Sequence, residues 1–230
     1  MNKERVYYLK PFSKAWFVNI WYHYKIHIII GVFVLSLLSV FIYEQVTKVR
    51  YDFSVLYISG KTNIMENALS DLETKLDSVV PDVNGDKKYK TYCKSFFIDS
   101  ETAAHNEAAA AEIEKADIYV RSGDASVFLF GDGKEEPYVG TGEDDQALYD
   151  LTYLANKYGY TDAQTKKYPN GKVYAICLKD NPLLNFDASD VYIVIRPLLH
   201  SDKKSVRDYN CALEMAEYII SRGEYKTSRK

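Results

Sequence analysis

Four side chains in this sequence, His105, Cys177, Arg196 and His200, invite a thiol-enzyme reading, with Cys177 as nucleophile and one His as base. Cys177, however, lies inside the apolar run KVYAICL, where a thiol is desolvated and stays protonated, so the set reads as structure and not as catalysis. Gly60, Lys61 and Thr62 spell the end of a phosphate-binding loop, but Val55 stands where that loop needs its first glycine. Asp82, Asn84 and Asp86 have the spacing of the first three ligands of a calcium loop, yet Cys93 occupies the position of its bidentate Glu, and the stretch reads as a solvated turn. Glu135, Glu136, Glu143, Asp144 and Asp145 bracket a glycine-rich loop and read as solvated acids at a helix N-terminus. Cys93, Cys177 and Cys211 have no C-x-x-C spacing and are expected as three buried thiols acting as small apolar residues, with one disulfide as the alternative. No catalytic residue, metal or cofactor is assigned.

The elements beneath these residues alternate. Residues 51–58, YDFSVLYI, read as a strand rich in β-branched and aromatic residues. Residues 63–80 read as a helix with Leu69, Leu72 and Leu76 on one face and a capping box at Asn63 and Glu66, and 89–98 as a second strand. An Ala-rich helix over 102–116 is expected to pass directly into a strand at 117–120, followed by a strand at 127–130 and a loop over 131–142. Residues 144–157 read as a helix with Leu148, Leu151 and Leu154 inward, 172–178 and 191–195 as strands, and 205–222 as a closing helix before a polar tail at 224–230. Strands separated by helices of this length predict an α/β layered domain over 51–223, with a largely parallel or mixed sheet flanked by helices. Ligands of such sheets collect outside the carboxyl ends of strands. That rule singles out Ser59, Asp99, Arg121, Ser122, Asp124 and Asp180, and among them Arg121 has the cation to hold a carboxylate or sugar hydroxyl. A surface loop with a salt bridge is the simpler account of it.

Ahead of the domain, residues 26–43 read IHIIIGVFVLSLLSVFIY, long enough at 1.5 Å per residue to cross a hydrocarbon core. Phe12, Trp16, Ile20 and Tyr24 recur every four residues before it, which fits either an interfacial helix or an aromatic belt extending the span. Residues 44–50 form a linker. Five basic residues against Glu4 give residues 1–25 a charge of +4, which leaves −7 for the remainder of a chain at −3. The positive-inside rule then puts 1–25 in the cytoplasm and the domain outside, in a single-pass cell-membrane protein. No A-x-A-like site follows the span, so it is expected as an uncleaved signal anchor. A mildly acidic outer domain excludes nucleic acid as a partner. Eleven Asn without one N-x-S/T sequon fit a bacterial envelope.

The opening VLYIS strand before a long helix, the AEIEKADIYVRSGD step, KVYAICLKDNPLL followed by VYIVIRP, and the closing helix together make this domain resemble a lobe of the type 2 periplasmic solute-binding proteins of Gram-positive bacteria. The resemblance implies an extracytoplasmic module that binds a small solute or peptide, as an accessory or sensor subunit of a transporter. The alternative is a non-catalytic subunit docked on a cell-envelope or membrane-protein partner. The bilayer itself is a partner under both.

The charge asymmetry has a direct test. A protease added to intact cells is expected to digest the domain after residue 50 and to spare an N-terminal tag; protection of the domain would reverse the assigned orientation.

Overall fold

The computed structural model describes residues 10–60, 66–99, 104–122, 125–131, 133–140 and 147–228. The chain divides into two compact units, residues 1–49 and 50–230.

The first unit is one helix, α1 (Lys14–Thr47), continuous through both the aromatic segment and the span expected at 26–43. Ser13 caps it by accepting from the Trp16 N–H at 3.2 Å. Its polar residues are satisfied within the helix: the Ser36, Ser39 and Thr47 hydroxyls donate to the carbonyls of Val32, Leu35 and Tyr43. That is the arrangement a helix needs where no water can serve it. No residue of α1 is buried, and the helix is long and apolar enough to cross a membrane.

The second unit carries its own core. After β1 (Phe53–Ser59) come α2 (Glu66–Asp77), β2 (Thr91–Phe97), α3 (Glu107–Ser122) and β3 (Val127–Gly131). A short α4 (Thr152–Lys157), the strands β4 (Thr165–Lys167), β5 (Val173–Cys177) and β6 (Val191–Ile195), and α5 (Lys203–Ile220) complete it. The six strands form one mixed sheet in the order β2-β1-β3-β6-β5-β4. β1 pairs parallel with β2 and β3, whereas β6 runs antiparallel to β3 and to β5. Phe53, Val55 and Tyr57 point to one face, under α2, α4 and α5; Leu56 and Ile58 point to the other, with Ala116 and Val120 of α3. The result is an α/β/α layered domain, as the alternation of elements implies.

Three expectations change. Residues 117–120 are not a strand but the last turns of α3: Ala116 and Val120 are buried one turn apart while Ile118 is 55% exposed, a period of four and not of two. The helix expected over 144–157 is described only at α4. Before it, the N–H groups of Leu148, Tyr149 and Leu151 donate to the Tyr168 hydroxyl, the Ile195 carbonyl and the Val173 carbonyl, which draws the backbone across the sheet instead of into a helix. β4 was not foreseen; it is three residues long and polar. The capping residue Asn63 and the acids at 143–145 lie outside the described residues.

Arg196, just past β6, ties these layers together. It is 8% exposed, and its guanidinium donates to the Val120 carbonyl at 2.6 Å and to the Ala125 carbonyl, holding the C-terminal turn of α3 and the lead into β3. A cation there also meets the negative end of the α3 dipole. Arg196→Met keeps the apolar stem and strands two buried carbonyls. It should destabilise residues 50–230 by about 3 kcal/mol in urea unfolding; a loss under about 0.5 kcal/mol would contradict the role given to this residue.

Candidate functional site

The strand directions sort the ligand-site residues expected from sequence onto two opposite edges of the sheet. Ser59, Asp99 and Asp180 follow β1, β2 and β5, whose carboxyl ends share one edge. Arg121 and Ser122 end α3 and precede β3, so they lie at the other; Asp124 is outside the described residues. The structure does not bring the set together.

Among the described residues, the first edge carries several side chains already committed within the protein. Ser59 is wholly buried, and its hydroxyl lies 3.0 Å from where a Cβ on Gly131 would stand. The Lys134 side chain lies over Gly60. Glu135, expected in a solvated loop, is instead fully buried and ion-paired with Lys166, whose Nζ stands 4.4 Å from the centre of the Tyr192 ring. Asp180 is exposed with a positive φ of 58° in the turn after β5, and Asn181 beside it is spent on the fold, donating to the Ile219 carbonyl of α5. Arg121 is a surface pair, its Nε 2.9 Å from Asp117 on the same helix.

The opposite edge holds a polar pocket of about 250 Å³ where β6 ends and β1 and β3 begin, lined among others by Asp52, Ser54, Ser126, Arg196, His200 and Tyr209. Asp52 is committed to structure: it accepts from the N–H groups of Val83, Asn84 and Lys90. Tyr209, on the first half of α5, is not. It is 9% exposed, its hydroxyl is buried, and that hydroxyl has no hydrogen-bond partner among the described residues. Burial, with Tyr149 adding and Arg196 opposing, holds its pKa well above the ordinary phenol range, so it remains a donor. A buried hydroxyl without a partner costs stability, and it is the group here most in want of a ligand acceptor. Sequence reasoning missed Tyr209 because its position is set by α5 packing; nothing in the sequence separates it from twenty other tyrosines. Arg196, Pro197 and Leu199 also wall a neighbouring apolar pocket of about 410 Å³, to which Phe128, Tyr138 and Leu148 contribute.

The thiol constellation is dispersed. Cys177 ends β5 at the first edge, its Sγ donating to the Ser189 carbonyl at 3.4 Å, while His200 is exposed beyond β6 at the other. The turn at 82–88 uses its acids internally, Asp82 accepting from Gly85 and Lys87 and Asp86 from Lys88. Among the described residues no three His, Cys, Asp or Glu side chains are grouped to hold a metal ion.

All three cysteines are free thiols. Burial, with Glu73 and Asp77 adding, pushes Cys93 well above the ordinary thiol range; burial, with Glu214, Asp52 and Asp208 adding, pushes Cys211 up to about 12. The unfolded chain sheds these protons first, at about pH 8.5. The stabilisation is therefore complete at neutral pH and is lost as pH rises through about 9 to 12, by up to about 1.4 kcal/mol per pH unit for each thiol. Urea unfolding of residues 50–230 between pH 8 and 10.5 should show that decline, and a Cys93→Ser, Cys211→Ser variant a flatter one; equal slopes would mean the thiols are not desolvated.

Compared with protein-family models, curated proteins and solved structures, the chain matches none.

Proposed function

We propose that this chain is a membrane-tethered binding module, anchored by α1 with residues 1–25 in the cytoplasm and the α/β domain outside the cell. Its binding site is the polar pocket at the edge where β6 ends. The observation that carries this reading is the Tyr209 hydroxyl, buried and without a hydrogen-bond partner among the described residues, in a pocket whose other walls include Ser54, Ser126 and His200. Four separate segments supply the lining, from residues 51–54, from Ser122, Ala125 and Ser126, from 196–200 and from the first half of α5, so the pocket depends on the folded domain. Its size suits a small polar solute, the end of a peptide or the head of a larger molecule, and it lies below the range usual for drug-sized ligands.

The anchor supports the tethered half of the proposal. α1 is apolar on all sides over its central turns, buries nothing, and is preceded by the basic excess of the chain. A second reading, docking on a neighbouring envelope or membrane protein, draws on the groove of about 520 Å³ between α4, α5 and the tail. There Tyr153 is 70% exposed beside Tyr149 and Tyr225, and exposed tyrosines are common at protein interfaces.

Thermal unfolding of residues 50–230 with sugars, amino acids, short peptides and glycerophosphodiesters tests the site. A ligand at a hundred times its Kd stabilises by about 2.7 kcal/mol, several degrees of midpoint for a domain this size. Tyr209→Phe should abolish that shift while leaving the unliganded domain as stable as before or slightly more so, because it removes an unpaired buried hydroxyl. No shift with any compound would leave the docking reading in its place.

A further inference from the structure

We infer that the edge of the domain bearing the Tyr209 pocket is a lipid-contact face, and that the ligand of the pocket is the polar head of an anionic membrane lipid. The inference rests on the membrane-tethered reading and names the ligand class of its site.

Within residues 50–230, the exposed large apolar residues among those described are Tyr51, Ile118, Tyr149, Tyr153, Leu198 and Leu199. Three of the six rim this one pocket: Tyr51 at 45% exposed, Leu198 at 39% and Leu199 at 51%. Tyr149 stands at the same end of the sheet, its N–H donating to the Ile195 carbonyl. Directly behind Leu199 the chain is basic. Lys203 and Lys204 are exposed and make no ion pair among the described residues, and Asp202 between them and the pocket is spent on capping α5, accepting from the Lys204 and Ser205 N–H groups and the Ser205 hydroxyl. Residues 202–204 thus carry one net positive charge in a chain that carries −7 beyond residue 25. Apolar side chains flanked by lysines are the composition of an interfacial membrane site, where the apolar groups enter the headgroup boundary and the lysines meet anionic lipid.

Chain connectivity favours a bilayer over any other apolar partner. The domain is joined to α1 at this edge, through residues 48–50, which include Lys48 and Arg50. The polar pocket then offers the Tyr209 hydroxyl to a headgroup oxygen; of the two carboxylates in its lining, Asp52 is held by backbone N–H groups and Asp208 is paired with Arg207, while Leu199 lines the adjoining apolar pocket.

Trp fluorescence of the full chain in nanodiscs containing brominated lipid tests this. The native indoles, Trp16 and Trp21, both lie in α1, so their quenching reports the tether. In a Trp16→Phe, Trp21→Phe background, a Leu199→Trp reporter should be quenched in discs containing brominated phosphatidylglycerol, and an Ile118→Trp reporter on α3 should not. Adding Lys203→Glu and Lys204→Glu should weaken the Leu199→Trp quenching at least fivefold, and Tyr209→Phe should weaken it without altering the tether. Quenched native indoles with an unquenched Leu199→Trp reporter would overturn the lipid face and leave the tether standing. Equal quenching of the reporters at 199 and 118 would overturn it as nonspecific contact. Unquenched native indoles would remove the tether, and the face with it.

Discussion

A buried guanidinium has to be satisfied, and the way Arg196 is satisfied organises one whole edge of this domain. Its bonds to the Val120 and Ala125 carbonyls join the residue after β6 to the last turn of α3 and to the residues leading into β3. Beside it, Asp52 performs the converse task. Its carboxylate collects three backbone N–H groups from residues 83, 84 and 90, and its own N–H donates to the Lys90 carbonyl at 2.7 Å, fixing the turn that leads into β2. Each would be costly to bury without its partners, since a charged group loses its water on entering the fold. With those partners in place, both residues line the Tyr209 pocket.

The reversal of β6 gives that pocket its position. In a fully parallel sheet every connection returns across a helix, and the carboxyl ends gather on one edge. Here β6 lies between β3 and β5 and runs against both, so its carboxyl end emerges among the amino ends of β1 and β3. At the usual edge, among the described residues, stand the buried Ser59, the Lys134 side chain over Gly60 and the Glu135–Lys166 pair. The free strand edge at β2 is also guarded. The Asp77 carboxylate accepts from the Thr91 N–H, and burial of Glu73 beside the Cys93 N–H raises its pKa, as does the neighbouring Asp77. Carboxylates along an edge strand discourage pairing with another chain.

Much of this was legible in the residues. The alternation of VLYI with the leucine face of α2, and the buried runs VFLF and VYIVI, carry the period and composition of their elements, and all became what they predict. Local pattern failed where tertiary partners decided the backbone. DIYV has the composition of a strand and remains helical because Ala116 and Val120 share a sheet-facing stripe. Residues 147–151 have helical spacing but spend their N–H groups on β5, β6 and Tyr168. The site was less legible still. Ser59, Asp99 and Asp180 do end strands, but Arg121 and Ser122 end a helix, and the sense of β6, which relocates the pocket, is a property of pairing that no local pattern records.

The account turns on which edge of the sheet meets a ligand, and hydrogen exchange on the full chain in nanodiscs, with and without anionic lipid, reads both edges at once. Protection gained by amides of residues 51–54 and 196–205 in the anionic discs, with residues 59–60, 98–99 and 133–138 unchanged, is the predicted result. Protection confined to the second set, at the carboxyl ends of the parallel strands, would contradict it.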